Sequence, residues 1–238
     1  MSIPKVSIIA TAIHTEFWQK LYADLSRDNP IPFEIVFVGS KKPDFALPPN
    51  FIYIYSDAKP VQCLETAARN AHGEYCMITA DDVEVPPRML YDMNYFLIRM
   101  FSDKAIVSAR FADSANGPPN DKLLVLDTRN PRSPVLGVNT MIKRSVWKEI
   151  GGLDKRFFAF KADLDLQMRI YASGGYLFLV PDSIAREKPR PGPRLVDTFS
   201  AHDSKILYDL WVLPNGETSK TRMGELHPFE DNEIPIVR

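Results

Sequence analysis

Short β-rich apolar runs alternate with segments of helical spacing from the N-terminus to Asp82, and this alternation restricts the fold more than any other feature. The runs are residues 5–12 (KVSIIATA), 33–38 (FEIVFV), 51–55 (FIYIY) and 75–79 (YCMIT). Between them, 15–26 sets Phe17, Leu21, Tyr22 and Leu25 at helical spacing behind Thr15 as a cap, and 60–71 starts on Pro60, suited to a first turn. Strand and helix in this rhythm predict an α/β fold, a mostly parallel central sheet flanked by helices with right-handed crossovers. Such sheets bind ligands at the carboxyl ends of their strands, where strand order reverses. Asp81-Asp82 falls at such an end.

Beyond Asp82 the rhythm loosens. A helix is expected over 87–101, strands over 104–110 and 134–142, a helix over 143–150, another from about Asp163, and a strand over 176–181. Residues 111–133, rich in Gly, Pro, Asn and Asp around a short LLVLD run, read as an acceptor-side or lid loop. The stretch 186–194 (REKPRPGPR) is basic and proline-rich, hence extended. Residues 184–200 are expected to be mobile without ligand and to order over a diphosphate. The tail from 214 is turn-rich and ends acidic. One domain over 1–238 is expected: a nucleotide-binding half (1–110), an acceptor-side half (111–182), and a loop with a C-terminal extension (183–238).

Composition removes several function classes. Lys plus Arg total 29 against 30 for Asp plus Glu, so the net charge of −1 argues against holding nucleic acid by bulk charge. Two cysteines, Cys63 and Cys76, build no disulfide framework and read as buried thiols. The opening MSIPKVSIIATAIH turns polar too early for a signal peptide, and no run approaches a membrane span, so a cytoplasmic protein is expected, with peripheral membrane contact left open. GxGxxG, P-loop, HExxH, GxSxG and paired CxxC motifs do not occur.

Few residues are left to carry chemistry. Asp81 and Asp82 either cap a turn before Pro86 or clamp a hard divalent cation that shares phosphate oxygens, Mg²⁺ or Mn²⁺. Asp163 and Asp165 open a helix two positions apart, so they do not share a helix face. Either both complement the helix dipole, or one is a general base taking a proton from an alcohol while the other pairs, with Arg169 a candidate partner. His202, in the polar stretch SAHDSK, is either a surface histidine or a further metal or diphosphate ligand. His14, just past the first strand, is placed to touch a base or ribose. Lys188, Arg190 and Arg194 either face solvent or close over a diphosphate.

Four segments together resemble the family 2 type of inverting, nucleotide-sugar-dependent glycosyltransferases. VSIIATAIHTEFW resembles that family's first strand and the turn meeting the nucleotide. GEYCMITADD, residues 73–82, resembles its GEY strand ending in a DxD-like metal motif. VLGVNTMIKRSVWKEIGGLDKRF, residues 135–157, resembles its acceptor-side segment, and KADLDLQMRI, residues 161–170, its ED-type motif followed by DLxxR. The resemblance covers roughly residues 5–182. It implies the GT-A (nucleotide-diphospho-sugar transferase) fold, a nucleotide-diphosphate sugar donor, and a glycan, lipid-linked or small-molecule acceptor, with no nucleic acid. It also implies Mg²⁺ or Mn²⁺ at Asp81 and Asp82, with His202 a further candidate, and Asp163 as the catalytic base. Thr11 and Ile13 would stand where the first loop meets the base, and Lys59 would match a basic residue near the nucleotide.

The chain departs from that pattern twice. Ala162 replaces the usual Glu before Asp163, and VFVGS lacks the acidic residue that follows the family's second strand, where Val38 meets Gly39 directly. The departures leave open a non-catalytic sugar-nucleotide-binding or assembly subunit. A sugar nucleotidyltransferase stands further off, because ATAIHTEF lacks the Gly-rich basic loop that such an enzyme carries after its first strand. Direct displacement predicts inversion, since no second carboxylate is available beneath an anomeric carbon.

Overall fold

Strand β1 (Val6–Thr11) runs beside β2 (Phe33–Gly39) on one side and β4 (Tyr75–Ile78) on the other, parallel to both. The computed structural model describes residues 4–100, 102–112, 137, 139–188 and 195–237, the last stretch beginning with backbone only at 195–197. Strand β3 (Phe51–Tyr55) extends the parallel row beyond β2. The chain therefore lays down β1, β2 and β3 outward in one direction and then returns to place β4 on the opposite flank of β1. Strand order reverses between β1 and β4, and the gap beyond their carboxyl ends is the natural ligand position in an open α/β sheet.

The chain beyond Asp82 adds strands to the β4 edge. The two-residue β5 (Val83–Glu84), β6 (Ala105–Ala112), β7 (Asn139–Lys143) and β8 (Tyr176–Glu187) complete an eight-stranded sheet in the order β3-β2-β1-β4-β7-β6-β8-β5. Among the described residues, the ladders β1–β2, β1–β4, β2–β3 and β6–β8 are parallel. The antiparallel ones, β4–β7, β6–β7 and β5–β8, all involve strands that follow Asp82.

Strand side chains alternate between two apolar layers, as period two requires. Ile9, Val36, Val38, Ile54, Cys76, Ile78, Ile106 and Ile142 face one layer. There they meet helices α2 (Pro60–Arg69), α4 (Arg144–Glu149), α5 (Ala162–Ala172) and α6 (Leu195–Trp211). Val6, Ile8, Ala10, Ile35, Phe37, Met77, Val107 and Met141 face the other layer, closed by α1 (Thr15–Ser26) and α3 (Met89–Leu97). Burial on both faces explains why these strands read as near-continuous apolar runs.

Several boundaries differ from the sequence-based expectation. Helix α3 is shorter than 87–101 because Arg88 sits at φ 65° behind Pro86-Pro87 and cannot continue a right-handed turn. The strand expected over 134–142 is described from 139 to 143, and 113–136 lie outside the described residues. Strand β8 does not stop at 181. Residues 181–183 leave the ladder, where Pro181 has no N–H to donate, and pairing with β6 resumes at Ile184. Of the segment 184–200, expected to be mobile, residues 184–187 are strand and 195–200 are helix, while 189–194 lie outside the described residues.

Helix α6 is absent from the sequence-based expectations, because the basic, proline-rich run before it hides the helical spacing. Its buried face is Asp203, Leu207, Leu210 and Trp211, at helical offsets. Among the described residues no helix is long and apolar enough to cross a membrane.

Candidate active site

The strand-order reversal between β1 and β4 is closed by one carboxylate. Asp81 Oδ2 accepts hydrogen bonds from the backbone N–H groups of Ile13 (2.7 Å) and His14 (2.5 Å) and from Trp18 Nε1 (3.0 Å). Trp18 is fully buried, edge-on to Phe37 and stacked on Phe51, so it fixes this side of the loop after β1. Asp81 is 4 % exposed. Burial pushes its carboxyl above the usual carboxylate range, the N–H groups of His14 and Trp18 oppose this, and the charge of Asp82 adds to the rise. Asp82 is also buried, and its carbonyl accepts the Lys188 N–H (2.9 Å) where β5 pairs with the end of β8. The Lys188 ammonium lies over the Phe17 ring (4.6 Å), its pKa held below the ordinary lysine value by burial and by Lys20. Arg190 and Arg194 lie outside the described residues.

Thr11, at the end of β1, donates its hydroxyl to the carbonyl of Pro60 (2.5 Å), joining β1 to the start of α2. Lys59, the residue before α2, sets its ammonium 3.4 Å from the centroid of the Phe158 ring. The His202 imidazole stacks on the same ring, with centroids 4.0 Å apart and planes 18° apart. Two groups at those distances cannot share a face, so Phe158 is clamped between a cation and an imidazole. Lys59 and His202, read from the sequence as nucleotide and metal contacts, therefore meet on one aromatic ring. His202 Nδ1 lies 2.9 Å from Asp203 Oδ1, which leaves Nε2 for any further ligand.

The two aspartates of α5 have separate environments. Asp165 is fully buried and accepts from Arg169 Nε (2.9 Å), Trp211 Nε1 (2.9 Å) and Arg222 Nε (3.0 Å). Arg169, which the sequence leaves between pairing and solvent, also donates to the carbonyls of Ile150 and Gly152. Asp163 stays partly exposed. Desolvation by the surrounding protein pushes its carboxyl up to about 6, against the lowering effect of the Leu164 and Asp163 backbone N–H groups and of the nearby Lys161 charge. A carboxyl tuned toward neutrality at a helix start has the properties of a general base. Ala162, where the family pattern has Glu, is buried.

Three more carboxylates, which the sequence does not single out, frame the site. Glu65 on α2 accepts from Arg69 Nε, Trp147 Nε1 and the Leu153 N–H. A Cβ on Gly152 would stand 2.6 Å from this carboxylate, and Gly152 sits at φ 71°, so the second glycine of IGGLD is required twice over. Asp154, the last residue of that phrase, accepts from Arg156, Arg222 and the His227 N–H. Burial would raise its carboxyl, but the Arg156 guanidinium and backbone N–H groups outweigh that and hold it below the ordinary value. Asp203 on α6 accepts three consecutive backbone N–H groups, from Phe158 (3.0 Å), Ala159 (2.9 Å) and Phe160 (2.8 Å). Its signal in the sequence is its position four residues before Leu207 on the buried helix face.

The missing acid after β2 has a steric counterpart. Val38 and Phe37 are fully buried in opposite apolar layers, and a Cβ on Gly39 would stand 1.9 Å from the Ala12 carbonyl oxygen. The end of β2 is pressed against the loop after β1, with no room there for a side chain.

Residues 122–204 match the family model for glycosyl transferase family group 2. No curated protein matches the chain. Among solved structures, S. aureus TarS 1-349 in complex with UDP superimposes with a TM-score of 0.61 at 17% identity, covering 79% of this chain and 61% of that one. The same protein in complex with UDP-GlcNAc gives 0.58 at 16%, covering 84% and 60%. GalNAc-T7 with UDP, GalNAc and Mn²⁺ gives 0.60 at 13%, covering 88% and 48%. The chain thus spans about three fifths of the TarS chain it matches. The likeness establishes the GT-A fold, a mixed sheet flanked by helices.

Proposed function

We propose that the protein is an inverting glycosyltransferase, moving a sugar from a nucleotide-diphosphate sugar to an acceptor hydroxyl. The observation that carries this reading is the division of labour on α5. Asp165 is locked among Arg169, Trp211 and Arg222, while Asp163 is left partly open with a carboxyl pKa of about 6. Asp163 takes the proton of the acceptor hydroxyl as it attacks. With no second carboxylate assigned beneath the anomeric carbon, the product is inverted. The family match over 122–204 includes α5, and S. aureus TarS 1-349, which shares the fold, has been solved in complex with UDP and with UDP-GlcNAc.

On the donor side, Thr11, Ile13 and His14 form the loop that meets the nucleoside, and Lys59 stands at the start of α2 beside it. Asp81 and Asp82 suit Mg²⁺ or Mn²⁺, since burial, with a smaller push from the Asp82 charge, raises the Asp81 carboxyl, and a cation relieves both. Among the described residues no three His, Cys, Asp or Glu side chains gather as a metal cage, so the diphosphate itself would complete the shell. His202 Nε2 is the further candidate donor. When bound, the cation neutralises charge on the departing diphosphate. Arg190 and Arg194 complete the proposal as diphosphate contacts, and the halves 1–110 and 111–182 serve donor and acceptor.

A calorimetric screen of UDP, GDP and dTDP with Mn²⁺, followed by transfer from the matching sugar nucleotide, tests the reading. Binding of one diphosphate that weakens about tenfold or more with chelator, and an inverted product, are expected. Equal binding with and without chelator removes the metal role, and a retained anomer removes the mechanism.

A further inference from the structure

We infer that Asp203 is a positioning residue for the α5 base: its carboxylate holds the backbone of residues 158–160 in the single arrangement that presents Asp163 to the acceptor. The inference rests on the reading of Asp163 as that base.

The stretch from Asp154 to α5 is held at two places. At its start, Asp154 is fully buried in the Arg156 and Arg222 guanidinium groups, and Phe157 is buried beside it. From there to Lys161 the backbone turns out of the core, and Lys161 enters α5 at φ 64°, outside the ordinary region for a side-chain-bearing residue. Three successive N–H groups in such a turn form a concavity that an anion fills. Asp203, wholly buried and carried on a different element, is the group that fills it. Hydrogen bonds to a charged acceptor are about twice as strong as neutral ones, and three on one carboxylate fix the loop in position as well as in energy.

The same loop is tied to the donor side. The Phe158 carbonyl accepts the Val61 N–H (3.2 Å), and the Phe158 ring is clamped between Lys59 and His202. Releasing Asp203 therefore frees the segment between the buried Asp154 hub and Asp163 while leaving the Asp81 loop intact. A displacement of about 1 Å of a catalytic group costs on the order of 10²-fold in rate. The expected defect lies in turnover and not in nucleotide affinity.

The test compares Asp203→Ala and Asp203→Asn in the full chain with wild type. With the sugar nucleotide that wild type turns over, Asp203→Ala is expected to lose roughly 10- to 100-fold in kcat, with the metal-free affinity for UDP, which does not involve the His202 beside Asp203 as a metal donor, within about threefold. Asp203→Asn, which keeps one carbonyl oxygen for the amides, falls between. Faster amide exchange at 158–160 and a displaced Asp163 titration midpoint, both read by NMR, accompany the loss. An unchanged kcat well below the melting temperature overturns the inference, and so does a kcat loss matched by equal loss of UDP affinity. If wild type transfers no sugar, the base reading of Asp163 fails on its own. The exchange and titration measurements then still decide whether Asp203 holds the loop. If Asp203→Ala does not fold, Asp203→Asn carries each comparison.

Discussion

Asp163 and Asp165 lie two positions apart on α5, the first partly open and the second enclosed by two guanidinium groups and an indole. The raised pKa of Asp163 means that the folded protein binds its proton more tightly than the unfolded chain does. Its stabilising contribution is fully present below the unfolded value of 3.8 and is lost as pH rises through about 6. At neutral pH the ionised carboxylate therefore costs stability, on the order of 1–3 kcal/mol. Asp163→Asn is expected to raise the melting temperature at neutral pH, to leave UDP affinity near wild type, and to lower turnover by about 10²–10⁴-fold. Wild-type turnover in that variant overturns the assignment. The kcat profile of wild type is expected to rise with pH through an apparent pKa of about 6, and a profile flat across that value excludes Asp163 as the titrating base. Asp165→Asn removes the carboxylate paired with the buried Arg169 guanidinium and leaves Arg222 with Asp154 alone. A loss of about 3 kcal/mol in denaturant unfolding is expected, against a smaller loss of rate once the protein is folded.

Among the elements, α2 is strapped down by the C-terminal tail. Gln62 donates to the Glu233 carbonyl, Arg69 to the Phe229 carbonyl and Asp231, and Asn70 pairs with Pro235 and Val237. Phe229 and Ile234 are buried beneath this strap, in the same apolar layer as α2 and α5. The acidic tail end is therefore largely an anchoring device for the helix that begins just after Lys59. Phe229→Ala is expected to cost about 3 kcal/mol of unfolding free energy and to increase exchange of α2 amides before those of β1. A stability change under about 1 kcal/mol shows that the strap is dispensable. Helix α6 works alongside it, bringing Trp211 to Asp165 and Asp203 to the loop ahead of Asp163.

Across the whole molecule, one continuous sheet carries both Asp81 and the IGGLD turn, so the residues proposed for donor and acceptor are positioned by a shared backbone ladder. The junction is β4–β7, where Thr79, just before Ala80 and Asp81, donates its hydroxyl to Asn139 on β7 (2.9 Å). Because β4 leads to Asp81 and β7 leads into α4 and the IGGLD turn, slipping this register by one residue would exchange every buried side chain of β7 for its neighbour. Asn139→Leu, which removes the hydrogen bond at similar volume, is expected to weaken donor binding with Mn²⁺ through the Thr79–Asp81 segment. Its effect on folding should be modest, since the Asn139 amide nitrogen is buried without a hydrogen-bond partner. Unchanged donor affinity would place the control of Asp81 wholly in the loop after β1.

The alternating architecture and the aspartates at element ends follow from local pattern alone. Apolar period two, helical spacing, Pro and Gly are local properties, and β1 to β4 with their helices appear at nearly the expected boundaries. Asp163 as the more open acid was also legible, through the i, i+2 spacing and the resemblance. Other features came only with packing in three dimensions: Asp81 tying down the loop after β1, Lys59 and His202 sharing the Phe158 ring, and Asp154, Asp165 and Asp203 acting as structural anions. Each of those roles depends on partners distant along the chain: Trp18 for Asp81, Arg222 and Trp211 for Asp165, the 158–160 amides for Asp203. A carboxylate's environment is set by which donors surround it in space, and to that arrangement a local run of residues is blind.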